Sequence, residues 1–291
     1  MPDAVHAGSL TTAAFEAASA GLGPLVSVSW AFDVLREAIR DPGARGRIDT
    51  AVRNSRVIVV DSLAVESEIR REYNPSAPIV RFPWGTDLTL FRPAPRDHGA
   101  EISIVSARAW EPMYRVPDAL RAFAAAREVD DRIQLRLFGA GSMEAEIAKL
   151  ITALDIGDQV DLPGRSSEAD LAAHLSVAGV YLTMSEVDGT SVTLLQALAC
   201  GLPIVATDIP GNREWLENSP GARMVPVGDW RAAGRAIVDL LHFSPVERMA
   251  IQQRHRSIAE ERADWSVNQA KLLHAYDMAR NASRSIRDSG S

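Results

Sequence analysis

One stretch of the second half of the chain decides the fold. It reads Ser185-Glu186-Val187-Asp188-Gly189-Thr190-Ser191-Val192-Thr193-Leu194-Leu195-Gln196-Ala197-Leu198-Ala199-Cys200-Gly201-Leu202-Pro203. An apolar run typical of a buried strand precedes it, and its small residues open a helical segment that Gly201 and Pro203 end. Free N–H groups and the helix dipole at such a strand–turn–helix junction favour a phosphate. A plain buried crossover helix capped by Thr190 or Ser191 fits the same pattern, so both interpretations stay open on pattern alone.

Short β-branched runs alternate with helical patterns along most of the chain. The predicted strands are Ala4–Ala7, Leu25–Ser29, Val57–Asp61, Ile79–Phe82, Ile102–Ser106, Ile133–Phe138, Val160–Leu162, Val180–Met184, Ile204–Thr207 and Met224–Val227. Alternation of this kind predicts an α/β protein with mostly parallel, doubly wound sheets and right-handed crossovers.

The length of 291 residues suggests two domains. Prolines, charges and glycine without periodicity mark a linker at Phe91–Ala100. We therefore predict a first domain over residues 1–94, a second over residues 95–264, and a C-terminal helix with a polar tail over residues 265–291 that packs back toward the first domain.

Two further stretches place chemistry at the ends of predicted strands. Arg108 directly follows a strand, where an arginine suits a diphosphate through its planar fork. Gly139 and Gly141 form a turn between a strand and a helix, but Glu144 stands where a dinucleotide fingerprint has its third glycine. A solvated surface arginine and an ordinary tight turn are the alternatives.

Composition excludes several function classes. The formal net charge of −7 argues against general binding to nucleic acid. A single cysteine, Cys200, forms no internal disulfide, and no zinc-helix or phosphate-loop template is present, so we predict a cytoplasmic chain without a metal site. Six arginines between Arg36 and Arg56 form either a patch for peripheral contact with the inner face of the membrane or a solvated helix face.

Together these stretches resemble the retaining GT-B glycosyltransferases of family 4, the glycosyl transferases group 1. The resemblance is strongest over Leu137–Val227, and Pro83-Trp84-Gly85-Thr86-Asp87 with Phe91-Arg92-Pro93 is similar to the family's approach to its linker. It implies two Rossmann-like domains facing a cleft. It also implies a hexosyltransferase that moves a sugar from a nucleotide-diphosphate donor, with retention and without metal or cofactor, to a sugar, lipid or small-molecule acceptor. Polysaccharide biosynthesis is the implied setting.

The resemblance also implies roles for individual residues. Arg108 would hold the donor diphosphate, and Asp188 would contact hydroxyls of the transferred sugar. The N–H groups of Gly189, Thr190 and Ser191 would face the diphosphate, Gln196 would bind the ribose hydroxyls, and Gly139, Gly141, Gly164 and Arg165 would shape the nucleotide pocket.

The sequence departs from the family pattern at several of these positions. Asp188 and Gln196 stand where the family has glutamates, and Trp30 stands where the family has a histidine. Tyr114 stands where the family has a lysine, and the neighbouring Arg115 is the candidate substitute for that lysine. The front half has about four predicted strands and resembles the middle of the family's first domain, so we expect an incomplete N-terminal domain and a truncated or misassigned start. The alternatives are a non-catalytic nucleotide-sugar-binding remnant and another GT-B enzyme, such as a sugar-nucleotide epimerase.

Overall fold

The computed structural model describes residues 2–95 and 102–288, with side chains to residue 281. The chain forms two compact units. The first comprises residues 1–84, 187–190 and 265–291, and the second comprises residues 85–186 and 191–264.

The first unit is built on a parallel sheet of four strands in the order β1-β2-β3-β4. The strands are β1 (Val5–Gly8), β2 (Leu25–Val28), β3 (Val57–Val60) and β4 (Ile79–Arg81). The helices are α1 (Ala13–Ser19), a π-helical turn (Asp33–Glu37) that continues into α2 (Ala38–Arg40), α3 (Pro42–Asn54), α4 (Leu63–Tyr73) and α12 (Trp265–Asp288).

Both faces of this sheet are covered, because every residue of β2 and β3 is buried. One face packs on α1, α3 and α4 through side chains such as Ile48, Ile58 and Ile69. The other face packs on α12, where Ala275 and Ala279 meet Val26 and Val57. Continuous apolar strands are what a parallel sheet between helical layers requires.

The second unit is built on a parallel sheet of six strands in the order β10-β9-β8-β5-β6-β7. The strands are β5 (Ile102–Ala107), β6 (Ile133–Phe138), β7 (Val160–Gly164), β8 (Val180–Thr183), β9 (Ile204–Thr207) and β10 (Ala222–Val225). The helices are α5 (Val116–Arg127), α6 (Glu144–Ala153), α7 (Glu168–Val177), α8 (Val192–Ala199), α9 (Pro210–Leu216), α10 (Trp230–Leu241) and α11 (Pro245–Arg262), and 3₁₀ turns span Pro112–Tyr114 and Gly157–Gln159.

This strand order has a switch point that positions the site. The chain runs β5-β6-β7 toward one edge and returns to place β8 on the other side of β5. Loops after neighbouring strands on either side of a switch point diverge and leave a crevice at the carboxyl ends, which is where open α/β sheets bind ligands. The loops after β5 and β8 meet this condition, and the loop after β6 lies next to the loop after β5.

The predicted doubly wound α/β class is confirmed, with two parallel sheets. The last predicted strand, Met224–Val227, begins two residues earlier, at Ala222, because it pairs with β9 from Ile204 onward. Part of the predicted linker, residues 96–101, lies outside the described residues. No helix in the described part of the chain is long and apolar enough to cross a membrane.

Three of the six arginines from Arg36 to Arg56 pair with carboxylates. Arg47 pairs with Asp41 at 2.9 Å, Arg53 pairs with Asp49 at 2.7 Å, and Arg45 pairs with Glu72. Exposed pairs of this kind contribute little stability. They partly neutralise the surface, which favours the solvated helix face over the membrane patch.

Candidate functional site

Arg108 lies at the switch point of the second unit, directly after β5. Its guanidinium donates a hydrogen bond from Nη1 to Ser191 Oγ and stacks on the ring of Tyr114, with Cζ 4.1 Å from the ring centroid. Ser191 is the N-cap of α8, and its hydroxyl also accepts from the Leu194 N–H at 3.3 Å. A fixed positive charge therefore lies at the N-terminus of a helix, and both favour an anion.

The glycine turn after β6 packs directly against the loop that carries Arg108. Gly139 has φ +131°, and a Cβ there would lie 2.0 Å from the Arg108 carbonyl oxygen. A Cβ on Gly141 would lie 2.5 Å from the Trp110 carbonyl oxygen. These glycines therefore permit two backbone segments to approach each other more closely than any side chain would allow.

The turn after β7 is tied to the same region. The Gly139 N–H donates to the Gly164 carbonyl at 2.9 Å, and Gly164 itself has φ +70°. Arg165 is exposed beside it. The structure thus brings Gly139, Gly141 and Gly164 to the carboxyl edge where Arg108 lies.

Arg115 already has acidic partners. Its Nε donates to Asp118 Oδ2 at 2.6 Å, and its Nη1 lies 3.9 Å from Glu186 Oε2. Asp118 is buried and also accepts from Arg121 at 3.1 Å. Sequence reasoning missed Asp118 and Glu186, although Glu186 stands in the decisive stretch. Because two carboxylates compensate Arg115, less of its charge is available to a ligand than at Arg108.

Gln196 on α8 is buried, and its Oε1 has no hydrogen-bond partner. A buried acceptor left in this state costs about 1–3 kcal/mol, so such an atom calls for an explanation. A hydroxyl group of a bound ligand would satisfy it. The glutamine therefore retains the acceptor that the resemblance assigns to ribose recognition, without the charge.

The tip of the decisive stretch belongs to the first unit. There the Thr190 N–H donates to Asp61 Oδ2 at 3.0 Å, and the Thr190 hydroxyl donates to the Asp61 carbonyl at 2.7 Å. A Cβ on Gly189 would lie 2.2 Å from Asp61 Oδ1. The Thr190 N–H, predicted to face a diphosphate, is thus given to a carboxyl group in this structure.

Asp61 is a residue that the sequence reasoning missed. Burial raises the pKa of its carboxyl to about 7; the hydrogen bond from Thr190 works against this shift, and the nearby charge of Asp188 adds to it. The signal was present, because Asp61 directly follows β3 as Arg108 follows β5. Polar residues at the carboxyl ends of parallel strands are candidates for a site in both sheets.

No metal centre is evident in residues 2–95 and 102–281. No group of three or more His, Cys, Asp or Glu side chains in that part could hold an ion.

The fold defines a class of protein: two parallel sheets of four and six strands, the GT-B class. The chain belongs to the glycosyl transferases group 1 family, whose profile matches residues 89–257. This confirms the family that the sequence resembles.

Solved structures agree on the fold. The Anabaena protein HepE in complex with UDP and glucose superposes with a TM-score of 0.78 at 16% identity, over 94% of this chain and 77% of that one. Sucrose-phosphate synthase from Thermosynechococcus elongatus gives 0.77 at 21% identity, over 90% of this chain and 69% of that one. At such identities the likeness shows the fold alone.

Curated relatives are longer than this chain. N-acetyl-alpha-D-glucosaminyl L-malate synthase of Bacillus anthracis is 25% identical over 83% of this chain and 65% of its own length. Phosphatidyl-myo-inositol mannosyltransferase of Mycobacterium leprae is 26% identical over 68% of this chain and 53% of its own. The chain therefore spans between half and two thirds of these relatives.

Proposed function

We propose that this protein is a glycosyltransferase that transfers a sugar from a nucleotide-diphosphate donor to an acceptor, with retention of configuration and without a metal ion. The observation that carries the proposal is the pairing of Arg108 with Ser191 at the N-terminus of α8. Cleavage of the donor leaves negative charge on the departing diphosphate. A guanidinium fork and the free N–H groups of a helix N-terminus are preorganised to stabilise that charge.

The remaining residues have roles consistent with this reaction. Gln196 Oε1 accepts from a ribose hydroxyl, while Gly139, Gly141, Gly164 and Arg165 shape the space for the nucleoside. Asp188 contacts hydroxyls of the transferred sugar, and Arg115, already paired with Asp118, contributes less charge than Arg108. A uridine diphosphate sugar is the first donor to test, because the Anabaena relatives in fold hold UDP with glucose or UDP-glucose.

The setting we propose is polysaccharide assembly. The amylovoran biosynthesis glycosyltransferase AmsK of Erwinia amylovora is 28% identical over 36% of this chain and 27% of its own length. That match supports the setting and leaves the acceptor open.

A non-catalytic nucleotide-sugar-binding protein is the second candidate. It is favoured by the hydrogen bond between the Thr190 N–H and Asp61, which takes one of the donors that a diphosphate would use. Both candidates bind a nucleotide, and only the first turns over a donor.

The experiment has two stages. Thermal unfolding with a panel of nucleoside diphosphates and their sugars reports binding, because a ligand of the native state raises the transition temperature. Release of free sugar from the best donor, by transfer to water, then reports turnover. A shift with turnover supports the enzyme, a shift without turnover supports the binding protein, and no shift at millimolar ligand contradicts both.

A further inference from the structure

Three tryptophans form an exposed aromatic cluster in the first unit, which we call the tryptophan platform: Trp30, Trp84 and Trp265. The ring centroids of Trp30 and Trp84 are 5.8 Å apart with the planes inclined by 24°, a stacked arrangement. Trp265 extends the cluster, with its centroid 6.4 Å from that of Trp84 and the planes inclined by 39°. Trp30 is 45% exposed and Trp265 is 37% exposed.

The fold holds these rings at the carboxyl end of the first sheet. Trp30 follows β2 and Trp84 follows β4, and Trp265 is the first residue of α12. Loops at the carboxyl ends of parallel strands are where open α/β sheets bind ligands. The platform therefore lies at a place suited to a substrate rather than on the outer surface of a helix.

Buried neighbours fix the rings before any ligand arrives. Phe82, which is almost fully buried, meets Trp84 edge to face at 5.5 Å and 73°. At the end of β1, a Cβ on Gly8 would lie 2.7 Å from Trp30 Nε1, so glycine gives the indole room to pack on the strand. A preorganised aromatic surface loses little entropy on binding.

The chemistry of the platform selects its ligand. The face of an indole ring is electron-rich and attracts positively polarised hydrogens, and the indole N–H offers a hydrogen-bond donor at the edge. A pyranose ring presents several C–H groups on one face and hydroxyls around its rim, which matches a stacked indole surface. Ring contacts join the three indoles to one another and to Phe82, so the surface that they offer is aromatic.

We propose that the tryptophan platform binds a pyranose ring of the acceptor, so that the acceptor is a glycan or a glycoside. This inference rests on the proposed glycosyltransferase function and names the class of its second substrate. A bilayer is the other surface that recruits tryptophan, but it also recruits unpaired basic residues. The described arginines of α3, Arg45, Arg47 and Arg53, are paired with carboxylates, which favours the sugar.

The test is saturation-transfer NMR on the full chain with a named panel of probes: the methyl α- and β-pyranosides of glucose, galactose and mannose, together with maltose and cellobiose. We expect at least one probe to receive saturation mainly on the hydrogens of one ring face. Trp30→Ala and Trp84→Ala should each weaken its binding about fivefold, whereas Trp30→Phe should retain most of it. Trp230→Ala, which removes a partly exposed tryptophan of the second unit, is the matched control and should leave sugar binding unchanged.

Three results would overturn the proposal. The first is that no probe in the panel receives saturation, and the second is that both alanine variants still bind the sugar. The third is that the platform variants keep sugar binding but lose either co-sedimentation with phosphatidylglycerol–phosphatidylcholine vesicles or a dimer seen in gel filtration. Near-ultraviolet circular dichroism checks that each variant is folded, and Trp265→Ala offers a further variant at the exposed start of α12. The UDP-induced thermal shift, measured on the same variants, separates the two proposals. If UDP produces no thermal shift in the wild type, the proposed donor site is contradicted. If the alanine variants of the platform bind the sugar as tightly as the wild type, only this inference is contradicted.

Discussion

Arg108 provides the sharpest test at the level of single residues. Arg108→Ala removes the guanidinium that lies on Ser191 and Tyr114. Because a charge-assisted hydrogen bond contributes about 2 kcal/mol, we expect UDP to bind roughly 30-fold more weakly. Arg108→Lys should recover part of the affinity, since a lysine keeps the charge but loses the fork.

The control for Arg108 is Arg132→Ala, which removes an exposed arginine paired with Asp130 at 2.7 Å. Titration calorimetry with UDP measures both variants. Unchanged affinity in Arg108→Ala would remove Arg108 from the donor site.

We expect replacement of Gln196 to have effects of opposite sign on protein stability and on UDP binding. Gln196→Met keeps the side-chain length and removes the buried Oε1 that has no partner. We expect the free energy of unfolding to rise by about 1 kcal/mol and the affinity for UDP to fall, because the ribose loses its acceptor. Urea unfolding and UDP titration measure the two effects, and a variant that gains stability without losing affinity would show that Gln196 does not contact the ligand.

The raised pKa of Asp61 leads us to expect that the stability of the protein depends on pH. Its pKa of about 7 in the folded protein lies above the ordinary value of 3.8, so between pH 4 and pH 7 the folded chain holds a proton that the unfolded chain has lost. Its contribution to stability therefore falls as pH rises through that window, by on the order of 4 kcal/mol, and is constant above it.

Asp61→Asn removes this titration and keeps an oxygen that can accept from the Thr190 N–H. We expect the variant to be more stable than wild type at pH 8 and the difference to shrink toward pH 5. The difference between the two proteins isolates Asp61 from His255, whose pKa is lowered to about 4 by burial and which acts with the opposite sign. Parallel pH–stability curves for the two proteins would contradict the raised pKa.

At the level of elements, the turn between β6 and α6 is the part of the site whose shape depends most on glycine. Gly139→Ala places a Cβ 2.0 Å from a backbone oxygen at φ +131°. We expect a loss of about 2 kcal/mol or more in stability and loss of the UDP-induced shift, because both the turn and the Arg108 loop must move. Gly157→Ala is the control, since a Cβ there meets nothing within 4 Å. Equal free energies of unfolding for the two variants would show that the close approach of Gly139 to the Arg108 carbonyl does not affect stability.

The elements themselves were largely predictable. Alternation of buried β-branched runs with helical periodicity is a local property, and strands such as Val57–Val60 and Ile204–Thr207 are where the pattern predicts them. The contact of Arg115 with Asp118 is local, three residues along the chain, whereas its approach to Glu186 was not predictable, because that requires the loop after β5 and the loop after β8 to fold together. The period of a sequence identifies an element but not the side chains that meet across elements.

At the level of the whole molecule, the first unit depends on a helix from the far end of the chain. α12 covers one face of the first sheet, with Ala275 and Ala279 against β2 and β3. A chain ending at Asp264 leaves that apolar face in water, and we expect the first unit to unfold. The second unit has its own sheet and core, so it should keep the UDP-induced shift.

Limited proteolysis with mass spectrometry checks this expectation, with a chain ending at Asn281 as the control that retains Ala275 and Ala279. Cleavage of the Asp264 chain should concentrate before residue 84. Resistance of that region to protease would show that α12 is not required for the first sheet.

The sequence by itself determined the α/β class, the succession of strands and helices, and the positions where charged and small residues follow strands, because these depend on local periodicity and on steric demands of single residues. Only the tertiary structure decided which of these positions meet. The strand order places β5 beside β8 and brings Arg108 to Ser191, 83 residues along the chain. Asp61 reaches Thr190 across 129 residues, and Trp30, Trp84 and Trp265 gather into one platform. Pairing of parallel strands joins segments that are distant in sequence, and no local pattern encodes which strand becomes the neighbour of which.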